Sequence, residues 1–284
     1  MRIRIRHEVR QGLEFNQRHA TATIRLTPRN HVGQHLLRWT LDVLSDSRLY
    51  PQEDAFGNLS HTFSLDGPAD HFTIIAEGEV ETQDTSGIVR GAVERFPTSF
   101  FLRQTDLTVP NAEIVRLAGE VDALAEDDLG RMHALMGLIH ARVVENPQEA
   151  RAVAAAAIPA ADEGVSSASL AHLFASVARH LRIPARQVSG YVVQEDETSS
   201  AYREWVEGYA PKVGWVAFDC GRCLCATEAY VRLAVGLDTL GVAPVRALGT
   251  PGRSSAMARD VFAGPKGGAG QSQSQSQSQS QSQA

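Results

Sequence analysis

The chain has 284 residues, of which 43% are hydrophobic and 21% are charged, and its formal net charge is −6 at neutral pH. This balance is typical of a globular protein with a sizeable core and excludes a largely disordered or fibrous chain. The acidic charge argues against nucleic acids and acidic membrane surfaces as partners, and because no signal-peptide or membrane-spanning pattern is found, a cytoplasmic location is expected.

The first hundred residues carry the period-two alternation of β-strands. Apolar and polar residues alternate over 2–6 and 22–26, and turn residues such as Gly67 and Pro68 separate runs of this kind. Further strands are predicted at 36–43, 61–65 and 72–76. We therefore predict an antiparallel β-sandwich at residues 1–105.

After residue 110 the hydrophobic period becomes helical. Apolar residues recur at helical spacing over 114–124 and 129–143, and Pro147 is predicted to end the second helix. A third helix is predicted from about Ser167 to Leu181. Strands return at 185–193, 204–209 and 214–219. Helices followed by an antiparallel sheet predict an α+β domain at residues 106–250.

The last 14 residues, QSQSQSQSQSQSQA, are low in complexity and offer no apolar side chain larger than alanine to bury. Residues 251–284 are predicted to be a flexible Gly/Pro linker followed by this disordered tail. A role of the tail in assembly or solubility is one interpretation of this composition.

The start of the third helix, GVSSASLAHLF at 164–174, places three serines in one turn: Ser166, Ser167 and Ser169. The three cysteines lie elsewhere, within six residues of one another: Cys220, Cys223 and Cys225. Zinc prefers four ligands, and no fourth cysteine or paired histidine lies nearby in the sequence. We therefore predict no metal site and no cofactor.

Several short blocks along the chain carry a family resemblance. In the first domain they are RIRHE at 4–8, LTPR at 26–29, DAFGN at 54–58 and EGEVET at 77–82. In the second they are IPAR at 183–186, VSGY at 188–191, GWV at 214–216 with FD at 218–219, TE at 227–228 and YVRLAVGLD at 230–238. Over about residues 1–248 the chain resembles bacterial transglutaminase-like proteins with an N-terminal β domain, which are related to papain-like cysteine enzymes.

This resemblance implies a Cys-His-Asp triad, in which a thiolate attacks a glutamine or peptide carbonyl, the histidine transfers the proton and the aspartate orients the histidine. The cysteine position falls on Ser167 in one register and on Ser166 in the other, and both registers stay open. Trp205 anchors the strand of the catalytic histidine, whose position is taken by Arg203. Asp219 matches the third member.

A serine without an adjacent base is a poor nucleophile, and an arginine stays protonated and cannot act as that base. We therefore predict a pseudoenzyme that binds a peptide or protein partner, with the serines serving as helix caps. Arg203 and Asp219 are expected to form an ion pair that fills the former active site. The alternative is an open cleft in which Arg203 binds a carboxylate.

A second hypothesis is an active acyltransferase or peptidase that uses Ser167, Ser166 or Cys220 as nucleophile with an unrecognised base. Cys220 follows Asp219 directly and is predicted at the mouth of the cleft, which Trp205 and His172 would also line. His172 lies five residues after Ser167, so the two share a helix face poorly, and a core histidine is the favoured interpretation.

The resemblance also implies a class of partner. Relatives are associated with ATP-grasp-type ligases, so the resemblance implies a protein of an amide-bond-forming or peptide-modifying pathway as the partner.

Overall fold

The computed structural model describes residues 1–146, 165–193, 202–248 and 257–265, which form two antiparallel sheets and a helical layer. The strands are β1 (Arg2–Ile24), β2 (Gln34–Val43), β3 (Tyr50–Glu53), β4 (Leu59–Thr82), β5 (Ile88–Val89), β6 (Ala185–Val192), β7 (Tyr202–Ala210), β8 (Gly214–Asp219), β9 (Leu224–Cys225), β10 (Tyr230–Gly236), β11 (Val245–Leu248) and β12 (Met257–Pro265). The helices are α1 (Ala112–Leu124), α2 (Asp128–Ile139), α3 (Ser167–His180) and the short α4 (Thr239–Val242).

Two very long strands, β1 and β4, pair antiparallel and form the centre of the first sheet. β2 and β3 pair with the free edge of β4, while β11 and β12 pair with the free edge of β1. Each long strand contains two of the runs that the alternation predicts as separate strands. The antiparallel character of this domain is confirmed.

The β1–β4 ribbon is folded back on itself. Phe63 and Phe72 are nine residues apart in β4 and would lie roughly 30 Å apart in a straight strand, yet their ring centroids are 5.0 Å apart. Register shifts between Gly12 and His19 lie at this bend. The two layers of this domain therefore come from one folded sheet, a feature that the alternation does not reveal because it continues through the bend.

The backbone of β12 pairs with Ile3–Arg10 of β1. This differs from the flexible segment predicted for 251–284, since nine of those residues form a strand. The physical reason is the edge of β1, whose backbone groups need partners that a local composition argument does not consider. The predicted Gln-Ser tail lies outside the described residues.

The second domain stacks three helices on the sheet β10-β6-β7-β8-β5, with β9 on the edge of β8. α3 lies between the sheet and the other two helices, so almost every side chain from Ser169 to Arg179 is buried. Phe174 of α3 stacks on Phe218 of β8, with ring centroids 5.3 Å apart. Helices followed by an antiparallel sheet are the predicted α+β arrangement, which is confirmed.

α2 continues into a π-helical turn at His140–Val144, and Pro147, predicted to end this helix, lies outside the described residues. Within the described ranges, no helix combines the length and apolar character that crossing a bilayer requires.

The two domains exchange strands across the boundary predicted at 105/106. β5 precedes that boundary but pairs with β8 of the second sheet, while β11 follows the second sheet and pairs with β1. Loop and strand assignments from the sequence do not specify which sheet accepts a short strand.

Two side-chain amides of the first domain cap the outer edge of β10. Asn58 Nδ2 donates to Val235 O and Asn58 Oδ1 accepts from Val235 N–H, both at 2.8 Å. Gln34 makes the equivalent two bonds with the backbone of Arg232, at 2.9 and 2.7 Å. An edge strand that would otherwise need water is therefore satisfied by the neighbouring domain.

Replacing Asn58 by alanine is expected to lower the free energy of unfolding by about 2 kcal/mol, because both backbone groups of Val235 become buried and unpaired. Chemical denaturation of Asn58→Ala measures this loss. Gln52→Ala, on the exposed strand β3, is the matched control and should change stability by less than about 0.5 kcal/mol. Equal stabilities for the two variants would contradict a structural role for the Asn58 bonds.

Candidate functional site

Helix α3 begins at a capping box made by Ser166 and Ser169. Ser166 Oγ accepts from the Ser169 N–H at 3.1 Å, and Ser169 Oγ accepts from the Ser166 N–H at 2.8 Å. These bonds satisfy backbone donors that the first turn of a helix leaves free. Both hydroxyls are thus used as caps, as the sequence predicts.

Ser167, also predicted to be a cap, is not one: it is the first residue of α3, and its side chain points in a different direction from the two caps. Its Oγ accepts from the backbone N–H of Glu204 in β7 at 3.2 Å. The hydroxyl therefore lies against β7 beside the residue that follows Arg203. Of the two candidate registers, the serine that contacts β7 is Ser167, while Ser166 faces its own helix turn.

Arg203 and Asp219 meet across the open ends of β7 and β8. Arg203 Nε lies 2.7 Å from Asp219 Oδ2, and Arg203 Nη2 lies 3.0 Å from Oδ1, so the pair is bidentate. Asp219 is 2% exposed. Burial alone would lower the pKa of Arg203, but its hydrogen bonds and its charge interaction with Asp219 raise the pKa above the usual value. The predicted ion pair is present.

Asp219 has three further hydrogen-bond donors around its carboxylate. Tyr230 OH donates to Oδ2 at 2.9 Å, and the backbone N–H groups of Gly221 and Arg222 donate to Oδ1 at 3.0 and 3.3 Å. Burial and the negative charge of Asp219 raise the pKa of Tyr230, so the phenol stays a donor. A Cβ at Gly221 would lie 2.2 Å from Arg203 Nη2, so any other residue there would displace the guanidinium.

Trp205 packs against Tyr230, the residue whose phenol donates to Asp219. Its ring meets Tyr230 edge-to-face with centroids 5.3 Å apart, and 3% of the residue is exposed. Trp205 is therefore part of the core next to the ion pair.

Cys220 is buried, and burial together with the neighbouring Asp219 raises the pKa of its thiol well above the ordinary value. His140 is directed to the backbone of this residue, with Nδ1 2.9 Å from Cys220 O. A buried thiol held in its protonated form is a weak nucleophile. The expectation that Cys220 lies at an accessible cleft mouth is wrong. Asp219 and Cys220 are consecutive residues whose side chains point in different directions, so Asp219 contacts Arg203 while Cys220 packs in the core beneath the helices.

Cys223 is exposed and Cys225 is half-buried, and burial raises the pKa of the Cys225 thiol. Among the residues that the structure describes, no three histidine, cysteine or acidic side chains are grouped closely enough to hold a metal ion.

His172 is buried in α3 and contacts α4 instead of Ser167. Its Nε2 accepts from the Thr239 N–H at 3.1 Å. Burial lowers the pKa of His172 to about 4, an effect that Asp238 opposes and Arg179 reinforces. A neutral imidazole that accepts a backbone hydrogen bond is a structural histidine, as the sequence analysis favours.

Two residues of this region are not singled out as site residues by the sequence: Tyr230, the phenol on Asp219, and Glu204, a buried acid behind Ser167. Glu204 is 7% exposed and bonds to Gln187 and to Thr239 Oγ1, the latter at 2.9 Å. Burial raises its pKa to about 7, although both hydrogen bonds oppose the shift. A signal for Glu204 exists in the sequence. Tyr202, Glu204 and Val206 alternate along β7 and so share its helix-facing side, where an acidic residue is unusual.

Comparison with known proteins finds two family models that match separate parts of the chain. Residues 3–81 match the family model described as the bacterial transglutaminase-like N-terminal region, and residues 115–220 match that of the transglutaminase-like superfamily. An uncharacterized protein of Mycobacterium leprae, ML0607, is 25% identical, with 87% of this chain and 92% of that protein covered.

Among solved structures, a Cytophaga hutchinsonii protein with a provisional assignment as a cysteine protease superposes with a TM-score of 0.67. It is 17% identical, and 93% of this chain and 89% of that chain are covered. The periplasmic domain of TgpA from Pseudomonas aeruginosa is 14% identical with a TM-score of 0.35, covering 78% of this chain and 87% of that chain. The chain therefore contains a bacterial transglutaminase-like N-terminal region at residues 3–81 and a region of the transglutaminase-like superfamily at residues 115–220, which ends at the residue after Asp219.

Proposed function

We propose that this protein is a non-catalytic member of its superfamily that retains the fold to bind a peptide or protein partner. The observation that carries the proposal is the bidentate pair of Arg203 and Asp219. A guanidinium stays protonated in proteins and offers only donors, so it accepts no proton from a nucleophile. An acyl transfer of the triad type needs a base at this point.

The neighbourhood of Ser167 supports the same proposal. In the described part of the chain, the hydrogen-bond partner of its hydroxyl is the Glu204 N–H, a donor that makes the oxygen less nucleophilic. The superfamily resemblance implies that Ser167 or Ser166, Arg203 and Asp219 stand where active relatives have Cys, His and Asp. Together these substitutions remove both the ionisable nucleophile and the base.

The proposed binding role rests on the position and exposure of the ion pair. Arg203 and Asp219 hold the ends of β7 and β8 together while 21% of the Arg203 side chain is exposed, so the surface above them keeps its shape and a donor. A peptide or protein carboxylate is the chemistry that suits such a donor. By family analogy we propose a cytoplasmic protein of an ATP-grasp-type ligase pathway as the partner.

The proposal is tested by introducing a thiol nucleophile and an imidazole base into the site. We expect the native protein to show neither amine incorporation nor peptide hydrolysis, while Ser167→Cys combined with Arg203→His gains measurable turnover. The new imidazole would lie between the thiol and Asp219, and a positioned base contributes about 10²–10⁴-fold to the rate. The measurement is product formation from glutamine-containing and unmodified peptides.

Ser166→Cys combined with Arg203→His is the matched control, because Ser166 caps its own helix and should give no turnover. Turnover by the native protein would contradict the proposal. An electrophilic probe would then identify the nucleophile among Ser167, Ser166 and Cys220, which are the residues of the active-enzyme hypothesis.

A further inference from the structure

The edge strand β2 has a short stretch of backbone without partners in the first domain. β2 is the last strand of its sheet, where it pairs only with β4. The Leu44 N–H donates to Thr73 O at 2.8 Å, so alternation turns the backbone groups of Thr40 and Asp42 toward β4. Those of Trp39 and Leu41 point outward.

The two ends of this outer edge are closed. The Leu36 N–H donates to Asn30 Oδ1 at 2.6 Å, and Val43 O accepts from the Ser45 N–H at 2.8 Å. Within the described ranges, no hydrogen bond is found for the outward groups of Trp39 and Leu41. The open stretch therefore consists of Trp39 and Leu41, one on each side of Thr40.

We propose that this edge is the interface of a two-fold symmetric dimer, in which β2 of two copies pair antiparallel about Thr40. In this register Trp39 lies opposite Leu41 of the second copy, and each such pair exchanges two hydrogen bonds. A stretch centred on one residue is self-complementary, which is the requirement of a two-fold interface. The two folded sheets would then form one continuous sheet.

The charges on the solvent face of β2 fit this register. Arg38 and Asp42 lie symmetrically about Thr40, so each Arg38 faces Asp42 of the second copy, twice per dimer. Both side chains are accessible, since 63% of the Arg38 side chain is exposed and Asp42 is exposed. Within its own sheet Arg38 also contacts Glu79 of β4, with Nη2 2.9 Å from Oε1, and its remaining donors can reach the second copy. A parallel pairing or a shifted register would not bring these opposite charges together.

Exposed apolar side chains flank the stretch at both ends. Leu37 is 42% exposed and Leu44 is 61% exposed, and the two-fold register places Leu37 opposite Val43 of the second copy. An edge strand that carries exposed leucines is a surface suited to another strand. The symmetric placement of charges and open backbone favours a second copy over a strand of a different protein.

Charge exchange tests the proposal. Sedimentation of the full chain over a wide concentration range is expected to show a monomer–dimer equilibrium. Asp42→Arg places two arginines opposite each other, and Arg38→Asp places two aspartates, so each variant should raise the dissociation constant about tenfold or more. An equimolar mixture of the two variants should dimerise again, because both facing pairs are then opposite in charge.

Two further variants separate the interface from general effects. Leu41→Pro removes an outward N–H without taking a donor from the β4 pairing and should also weaken the dimer. Asp106→Arg makes the same charge change at an exposed residue outside β2 and should leave the dimer unchanged. Circular dichroism establishes that each variant is folded.

A native protein that stays monomeric at every concentration would overturn the second copy as the occupant of this edge. A native dimer that Asp42→Arg leaves intact, or a variant mixture that fails to associate, would overturn the register about Thr40.

Discussion

Replacing Glu207 by alanine is expected to lower the free energy of unfolding by about 3–5 kcal/mol, since it leaves the buried guanidinium of Arg186 and the largely buried one of Arg232 without their shared carboxylate. Glu207 is fully buried, and its oxygens lie 2.7 Å from Arg186 Nε and 2.6 Å from Arg232 Nε. A loss of this size corresponds to a fall of about 5–8 °C in Tm for a chain of this length. Calorimetry or thermal circular dichroism measures it.

Glu94→Ala is the control for this variant, because Glu94 also pairs with Arg186, but through a side chain that is 40% exposed. Its loss should cost about 1 kcal/mol or less. Similar Tm values for the two variants would contradict the assignment of Glu207 as the centre of the network.

The carboxylate of Glu207 also makes the free energy of unfolding depend on pH. Burial alone would raise the pKa of Glu207, but Arg232 and Arg186 together lower it from 4.5 to about 2. Because the folded-state pKa is depressed, the stabilisation is fully present above about pH 4.5 and is lost as the pH falls toward 2.

Replacing Glu204 by glutamine is expected to stabilise the protein at alkaline pH by up to about 3 kcal/mol and to leave its stability nearly unchanged below about pH 4.5. Burial raises the pKa of Glu204 from 4.5 to about 7, so between these values the folded state holds a proton that the unfolded state has released. Native stability therefore falls through this window as the pH rises. Glutamine stays neutral and removes this contribution.

The measurement is the difference in unfolding free energy between native protein and Glu204→Gln from pH 4 to 9. The difference is informative because His7 and His172, whose pKa values burial lowers to about 4, make the opposite contribution in both proteins. Glu126→Gln, at an exposed site, should show no such pH dependence. A Glu204→Gln difference that is constant with pH would contradict the raised pKa.

Much of the second domain could be predicted because its pattern is local. The apolar period of α1 and α3 and the strands before and after Trp205 follow from side-chain spacing alone. The charged residues within these strands do not follow from that spacing. Arg186, Glu207 and Arg232 are charged residues inside buried strands, and only their pairing across β6, β7 and β10 explains them.

In the candidate site, too, some features follow from the sequence and others only from the structure. The absence of a cysteine at the start of α3 and the presence of Arg203 beside Trp205 follow directly from the sequence. The choice of Ser167 as the serine that contacts β7 and the burial of Cys220 do not, since both depend on which way a side chain turns at the end of an element. Tyr230, which completes the shell of Asp219, is distant in sequence from Arg203.

By itself, therefore, the sequence determined the α+β class, the order of helices and sheet, and the superfamily resemblance, from which the triad-equivalent residues are predicted. Each of these rests on local periodicity or on the identity of single residues. Only the tertiary structure decided the fold-back of the β1–β4 ribbon, the exchange of β5 and β11 between domains, and the buried network of Arg186, Glu207 and Arg232. These features depend on backbone and charged groups finding partners far away in the chain, which no local pattern encodes.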